Sequence, residues 1–215
     1  MCDSEPILKM PIQSIEQESV IFDQAEIACF VSHFLQRRDE FLKTYSRHGA
    51  ALYVVEEDVL IERAEQFIKA FSKVLPDVRV YYAMKSNNHP LIANTLVSAG
   101  LNLDVSSGLE LEIAIETEAA DIVFSGPGKT IKELELAVEK ADRVTVLVDS
   151  FGELEILQRI AAEKGSVVRA GVRLTTDNKG LWRKFGIPLE DLSKFLETAK
   201  KYGQVSLKGL QFHTS

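Results

Sequence analysis

Four residues with chemically reactive side chains lie in or at the ends of short apolar runs of the sequence. They are Lys85, Asp104, Arg173 and His213, which are far apart along the chain. An amine can act as a nucleophile, a carboxylate and an imidazole can transfer protons, and a guanidinium can hold an anion. The set is therefore a candidate catalytic constellation, provided that the fold brings the four residues together.

Taken singly, each of the four residues has an ordinary structural explanation. A lysine at a strand end can extend its charged end to water while its stem covers apolar surface. Asp104 can pair with a basic neighbour or begin a turn, and His213 can be a hydrogen-bonded core histidine. An inward-pointing Arg173 needs an anionic partner. These alternatives stay open until the elements that position the residues are considered.

Apolar runs alternate with amphipathic segments from residue 51 onward. The runs are rich in β-branched residues and cover 51–55, 78–84, 101–107, 121–126, 143–150, 167–174 and 207–215. The segments between them have the apolar spacing of helices. Strand followed by helix at regular intervals predicts a parallel sheet with helices outside it.

Helix starts are marked directly after several of the predicted strands. Three Ser/Thr-x-x-Glu pairs are typical of capping boxes, namely Ser107 with Glu110, Thr130 with Glu133, and Ser150 with Glu153. Pro90 suits the first turn of another helix.

A TIM barrel and a doubly wound sheet both fit a βα repeat. The reactive residues favour the barrel, because they recur at the C-terminal ends of the predicted strands, where barrels build their sites. We therefore predict a helical extension over residues 1–50 and a (β/α) barrel of the TIM type over 51–215. About six of the eight strands of such a barrel are present.

Composition and charge exclude several other classes of function. The 215 residues carry a net charge of −7, so the chain lacks the excess of positive charge that is typical of proteins that bind nucleic acid or an anionic membrane. No signal peptide or membrane span is read, and no metal-ligand spacing is found. Cys2 and Cys29 lie far apart, as expected in a reducing cytoplasm. The GPGKT sequence at 126–130 is not a P-loop, because position 123 is Val123 instead of glycine.

The residues around Lys85 resemble a family motif. YYAMKSN (81–87) is similar to the YAxKxN motif of the fold-type III pyridoxal-phosphate-dependent decarboxylases, the alanine racemase-like barrels. This family includes ornithine, arginine, diaminopimelate and carboxynorspermidine decarboxylases. The resemblance continues in order through ALYVVEEDVLIERAEQF (51–67), LDVSSGLEL (103–111), FSGPGKT (124–130), VDSFGELEIL (148–157), VRLTTDNKGLWRKFGI (172–187) and GLQFHTS (209–215).

The resemblance implies a function and a role for each candidate residue. It implies decarboxylation of a basic or dicarboxylic amino acid, with pyridoxal 5′-phosphate as cofactor and Lys85, partly buried, as the amine that forms the Schiff base. His213 is expected to stack on the cofactor ring, Arg173 to lie near its phenolic oxygen and imine, and Asp104 to lie near Lys85. The complete enzyme is expected to be a homodimer in amino-acid or polyamine metabolism.

Parts of the family pattern are missing from this sequence. The family continues past the histidine as H-x-G-S, whereas Ser215 stands here at the glycine position. The phosphate-binding loop, the acidic partner of the pyridine nitrogen and the C-terminal β-domain are expected beyond residue 215. A catalytically silent regulator or binding protein is therefore one alternative function. An amino-acid racemase or a pyridoxal-phosphate homeostasis protein is another.

Overall fold

The computed structural model describes residues 23–49, 51–75, 77–175 and 184–213 of the chain. The chain divides between Val54 and Val55 into two compact units. The first unit contains helices α1 (Gln24–Gln36) and α2 (Arg38–His48). Both helices lie within the segment predicted as a helical extension, and they are separated by a break at Arg37, while residues 1–22 of that segment lie outside the described ranges. The boundary predicted between residues 50 and 51 remains a prediction.

The predicted strand at 51–55 is wrong. Residues 51–56 form neither helix nor strand. An isolated extended segment is not stable unless another strand satisfies its backbone groups, and no strand in the described ranges pairs with this one. The apolar composition of this segment was therefore not sufficient to predict a strand.

The second unit is the predicted series of strands and helices. It begins with α3 (Glu57–Ser72). The following elements are β1 (Tyr81–Ala83), α4 (Pro90–Ser98), β2 (Asn102–Val105), α5 (Gly108–Ile115), β3 (Ile122–Phe124), α6 (Ile131–Glu139), β4 (Val144–Val148), α7 (Phe151–Glu163), β5 (Val168–Thr175), β6 (Ile187–Pro188), α8 (Leu192–Lys200) and β7 (Val205–Gln211). The other six predicted strands are all present.

The strand order identifies the sheet as part of a barrel. The main sheet is parallel and runs β1-β2-β3-β4-β5-β7, while the short β6 pairs with the C-terminal end of β5. The order follows the chain without the reversal that defines a doubly wound sheet. Among the described residues β1 and β7 each have one strand neighbour, so the sheet is open. This confirms a (β/α) barrel represented by about six of its eight strands.

Alternation along the strands separates the helix layer from the inner face of the sheet. On β4, Val144, Val146 and Val148 are buried in the hydrophobic core, whereas Thr145 and Leu147 between them are half-buried. Burying each such valine stabilises the fold by roughly 1.5 to 3 kcal/mol. The intervening residues of each strand face inward, toward the barrel axis.

The predicted helix starts are present, with one difference in their chemistry. Thr130 and Glu133 form a complete capping box at α6, and the predicted serines cap α5 and α7. Glu110, however, accepts a hydrogen bond from the Ser106 N–H at 2.8 Å instead of from its capping serine. At α7 the matching carboxylate accepts from the Asp149 N–H, at 3.2 Å. These two carboxylates therefore anchor the residue before the helix cap. None of the helices in the described ranges has the length and apolar composition to cross a bilayer.

Candidate functional site

One cavity gathers the four candidate residues. Lys85, Asp104, Arg173 and His213 all line a cavity of about 440 Å³ at the C-terminal ends of the strands. Four different strands supply them, so only the fold brings them together. The predicted convergence of these residues is therefore confirmed by geometry, while their chemical roles remain predictions.

Lys85 projects from a single 3₁₀ turn that follows β1. The turn spans Met84–Ser86, and buried Met84 fixes it to the core. The Ser86 hydroxyl donates to the Ala83 carbonyl at 2.8 Å, which closes the turn. The expected partial burial of Lys85 is wrong, because this lysine is exposed. Lys85 follows β1, which has one strand neighbour within the described ranges, so one side of this lysine is left uncovered by the sheet.

Asp104 is a carboxylate held in an unfavourable place for its charge. Burial raises its pKa, and the nearby Glu110 raises it further, while the Ser125 hydroxyl and the Lys85 charge act to lower it. Its Oδ1 atom is buried and has no hydrogen-bond partner in the part of the chain that the structure describes. Such an atom is costly to leave unsatisfied, so the cavity retains an acceptor that a bound group can use.

Arg173 has the anionic partner that the sequence required. Its Nη1 atom lies 3.5 Å from Asp149 Oδ1, and both side chains are largely buried. The guanidinium carbon lies 4.9 Å from the centre of the Phe185 ring. An ion pair on one side and an aromatic face on the other hold the guanidinium in one orientation.

Gly186 allows Phe185 to reach this position. Its φ of 85° is in the left-handed region, and a Cβ there would come within 2.9 Å of the Arg173 carbonyl oxygen. The Thr175 hydroxyl also donates to the Phe185 carbonyl at 2.7 Å. The turn around 184–186 therefore packs directly onto the end of β5.

The turn after β3 forms another wall through close backbone contact. Ser125, Gly126 and Pro127 line the cavity. A Cβ on Gly126 would lie 2.0 Å from the Ser106 carbonyl oxygen, so only glycine lets the two neighbouring turns approach this closely.

Lys129 of the same turn is buried outside the cavity. Its Nζ atom lies 2.7 Å from Glu153 Oε1 and donates to the Leu147 carbonyl at 2.6 Å. Burial lowers the pKa of Lys129, and the attraction of Glu153 opposes that shift. The other oxygen of Glu153 accepts from the Asp149 N–H. The pair therefore connects the turn after β3 to the turn after β4.

A polar cluster lies at the opposite, N-terminal ends of the strands. The Tyr81 hydroxyl donates to Asp121 at 2.6 Å, and Arg169 donates to the other oxygen of Asp121 at 2.8 Å. Burial and the Asp121 carboxylate raise the pKa of Tyr81 to about 12. Tyr81 also lines the cavity, so this cluster supports its floor.

The sequence matches a known domain family over most of its length. The model described as "Pyridoxal-dependent decarboxylase, pyridoxal binding domain" matches residues 60–215. The chain belongs to this family.

Individual relatives agree with this assignment. A diaminopimelate decarboxylase of Aquifex aeolicus is 32% identical over 177 residues, which are 77% of this chain and 41% of that protein. An ornithine decarboxylase of Leishmania donovani is 32% identical over 144 residues, covering 65% of this chain and 20% of the relative. The crystal structure of the M. jannaschii diaminopimelate decarboxylase in complex with L-lysine superimposes with a TM-score of 0.70 at 26% identity, covering 80% of this chain and 44% of that one. The chain therefore spans less than half the length of these pyridoxal-dependent decarboxylases.

The cavity of this pyridoxal-binding domain fits the cofactor of its family. It offers a primary amine for an aldehyde, an imidazole ring for a flat heterocycle and a guanidinium for an anionic oxygen. Leu147, which lines the cavity, packs against Gly171, because a Cβ there would meet the Leu147 side chain at 2.7 Å. The unsatisfied Asp104 Oδ1 is a further sign that the walls are shaped for a bound polar group. In the described part of the chain no cluster of three or more His, Cys, Asp or Glu residues could hold a metal.

Several cavity residues escaped the sequence prediction. Tyr81, Phe185 and Gln211 also line the cavity. Strand periodicity could have found Gln211, which lies two residues before His213. Phe185 is part of the KFG sequence, but residue type alone gave it no chemical role. Ser215 and residues 176–183 of the family-like segments lie outside the described ranges.

Proposed function

We propose that this chain forms the cofactor-holding wall of a decarboxylase for a basic or dicarboxylic amino acid, and that Lys85 is its cofactor-bearing residue. The observation that supports the proposal is the convergence of Lys85, Asp104, Arg173 and His213 on one cavity in a domain of this family. Pyridoxal phosphate, when bound, withdraws electrons from the α-carbon of an amino acid so that a carboxylate can leave as CO₂.

Lys85 supplies the primary amine that an aldehyde cofactor requires. A single turn after β1 positions it, so the amine enters the cavity from a fixed point of the sheet. Asp104 lies close enough for its charge to interact with that of Lys85. With its raised pKa, the Asp104 carboxyl can hold a proton more readily than an ordinary aspartate. We assign it to the polar environment of the Lys85 Nζ atom.

Arg173 and His213 act as binding groups in this proposal. The guanidinium of Arg173 is oriented before any ligand arrives, because Asp149 and Phe185 contact it on different sides. It can therefore donate to an anionic oxygen of the cofactor without first losing conformational freedom. His213 presents a planar ring from the far edge of the sheet, where it can pack on a flat ligand.

The names of the relatives support a substrate class for this proposal. Two of them are a diaminopimelate decarboxylase and an ornithine decarboxylase, and both substrates carry a second charged group beyond the α-carbon. The structure of another diaminopimelate decarboxylase contains L-lysine, which differs from diaminopimelate by one carboxylate. We therefore infer an amino acid with a charged distal end. We extend the proposal to a homodimeric enzyme of the cytoplasm.

Borohydride trapping of the cofactor tests the proposal. Pyridoxal phosphate is added to the chain, the mixture is reduced, and peptide mass spectrometry locates the pyridoxyl group. We expect it on Lys85 and expect Lys85→Ala to lose it, while Lys69→Ala, which lacks an exposed helix lysine, retains it. Absence of an adduct on Lys85 in the wild-type protein would contradict the proposal.

Release of CO₂ separates the enzyme from its alternatives. Ornithine, lysine, arginine, diaminopimelate and carboxynorspermidine are each incubated with the cofactor-loaded protein. A decarboxylase releases CO₂ from one of these amino acids. A silent regulator or a homeostasis protein releases none while still carrying the adduct, and a racemase instead inverts the α-carbon.

A further inference from the structure

Gln211 is a polar residue that lines the cavity. The function proposed above assigns it no role. It lines the cavity together with Arg173 and His213. Its Oε1 atom is buried and has no hydrogen-bond partner among the described residues. An amide oxygen left in this state is unfavourable unless a bound group satisfies it.

The position of Gln211 in the sheet places it among ligand-binding groups. It is the direct neighbour of Arg173 in the register between β5 and β7. It precedes His213 by two residues, so the two side chains lie on the same face of an extended chain. One layer deeper, Gly171 pairs with Gly209, and neither residue contributes a side chain. A Cβ at Gly209 would meet no atom of the described residues within 4 Å, whereas at Gly171 it would meet the Leu147 side chain, so the open space near the amide lies at Gly209.

A β-bulge in β7 turns Gln211 toward the cavity. Ala170 pairs with Leu207, but the next residue of β5, Gly171, pairs with Gly209. Lys208 is therefore an extra residue without a partner on β5. Because side chains alternate between the two faces of a sheet, one extra residue moves every side chain that follows it to the opposite face.

The burial of neighbouring residues shows the effect of this shift. Leu207, before the extra residue, packs against the core beneath the helices. With unbroken alternation Gly209 and Gln211 would follow it onto that face, and Leu210 would face the cavity. Instead Gln211 lines the cavity, and Leu210 is 57% exposed.

We propose that Gln211 is a further ligand-binding residue of this site, aimed by the bulge at Leu207–Lys208. Its side-chain oxygen accepts a hydrogen bond from an N–H or O–H group of the bound cofactor, or of the amino acid held against that cofactor. The inference rests on the function proposed above, because it takes its ligand from there.

Two binding measurements distinguish the two sources of the donor. Pyridoxal phosphate is titrated into wild-type protein and Gln211→Leu, with absorbance as the readout and the Lys85 adduct as confirmation. L-Lysine is then titrated into each cofactor-loaded protein. If the donor lies on the cofactor, Gln211→Leu weakens the affinity for pyridoxal phosphate. If the donor lies on the amino acid, the substitution weakens only the affinity for L-lysine. We expect a loss of about tenfold in one of them, which corresponds to one buried hydrogen bond.

Variants of matched shape separate the hydrogen bond from packing. Gln211→Glu retains an acceptor of the same size, so we expect it to recover most of the lost affinity. Lys208→Gly keeps the extra residue and should bind like the wild-type protein, whereas deletion of Lys208 restores simple alternation and should abolish binding. Circular dichroism and thermal unfolding show whether the deletion variant folds, and the point variants test the proposal if it does not.

The outcomes distinguish failure of this inference from failure of the proposed function. If wild-type protein forms the adduct and Gln211→Leu leaves both affinities within twofold, the role of Gln211 is wrong and the proposed function stands. If the wild-type protein forms no adduct on Lys85, both are overturned.

Discussion

Two reactive residues of the cavity, Arg173 and Lys85, are held in place by neighbouring side chains. Arg173 is oriented by Asp149 and Phe185, and the turn that carries Lys85 is closed by the Ser86 hydroxyl. Preorganisation of this kind lowers the entropy that a ligand must remove on binding. Asp104 is the exception, because its surroundings oppose its charge instead of stabilising it.

Replacing Asp104 by asparagine should stabilise the ligand-free chain while weakening its binding of pyridoxal phosphate. The substitution removes a buried charge at neutral pH, and we expect a gain of about 0.5 to 1.5 kcal/mol in the free energy of unfolding. Urea unfolding without cofactor and titration with cofactor measure the two effects. Exposed Asp142→Asn is the matched control and should change neither quantity.

The pH dependence of this gain follows from the raised pKa of Asp104. A raised pKa contributes stability that is fully present below the unfolded value of about 4 and is lost as pH rises through the folded value. The asparagine variant does not titrate there. Its advantage over the wild-type protein should therefore grow as pH rises from about 4 toward neutrality. A constant difference over this range would contradict the assignment.

The strand-end turns depend on close contacts between neighbouring elements. Gly126 lies against the backbone of the turn after β2, and Gly186 lies against the end of β5. Glu110 and Glu153 hold the residues that precede α5 and α7. At this scale the site is a row of turns, each fixed by the next.

Alanine at Gly126 and at Gly152 should have opposite effects on stability. At Gly126 the new methyl group meets the Ser106 carbonyl at 2.0 Å, so we expect a loss of about 1 to 3 kcal/mol or more. Gly152 lies in the first turn of α7 with its nearest neighbour 4.0 Å away, so alanine should stabilise by about 0.5 to 1 kcal/mol. Chemical denaturation of both variants measures the contrast.

The Lys129–Glu153 pair should behave as a unit between two turns. Lys129→Met leaves a buried carboxylate without its partner and should cost about 3 to 5 kcal/mol. Adding Glu153→Gln should recover part of the loss, because the isosteric amide can still accept from Asp149. A double-mutant cycle in urea measures the coupling. Lys164→Met, which breaks the exposed pair with Glu139, is the control and should have little effect.

The sequence predicted the repeating strand–helix units of the fold better than it predicted where the repeat begins. Six runs became strands because alternation and adjacent helix signals agreed, whereas 51–55 had apolar composition without a strand partner. The four reactive residues were found because strand ends in a barrel converge. Phe185 was not found, since its position depends on a left-handed glycine that residue periodicity does not show. Gln211 could have been found by counting back two residues from His213, but counting forward from the start of β7 fails at the bulge.

At the scale of the whole molecule, the cavity lies between the two edges of an open sheet. Lys85 follows β1 and His213 follows β7, and among the described residues each of these strands has a single neighbour. A ligand in the cavity therefore contacts residues from both edges. Edge strands have fewer backbone partners, so they are the elements that a bound ligand can stabilise most.

Pyridoxal phosphate should raise the thermal stability of the chain through its contacts with the cavity. A ligand at one hundred times its Kd stabilises the folded state by about 2.7 kcal/mol. Differential scanning fluorimetry with increasing cofactor measures the shift in Tm. Lys85→Ala should reduce the shift strongly, and an equal concentration of inorganic phosphate should produce little of it. An equal shift in Lys85→Ala would show that the cofactor binds elsewhere.

The placement of Lys85 and His213 on the first and last strands of the sheet also orders events during synthesis. The ribosome releases Lys85 early, but His213 emerges only after five more strands of the main sheet have been made. A nascent chain therefore presents the amine long before it can place the imidazole in the same cavity. Under the roles proposed above, firm retention of the cofactor would require docking of β7, so cofactor retention would mark chains in which strands β1 to β7 have assembled.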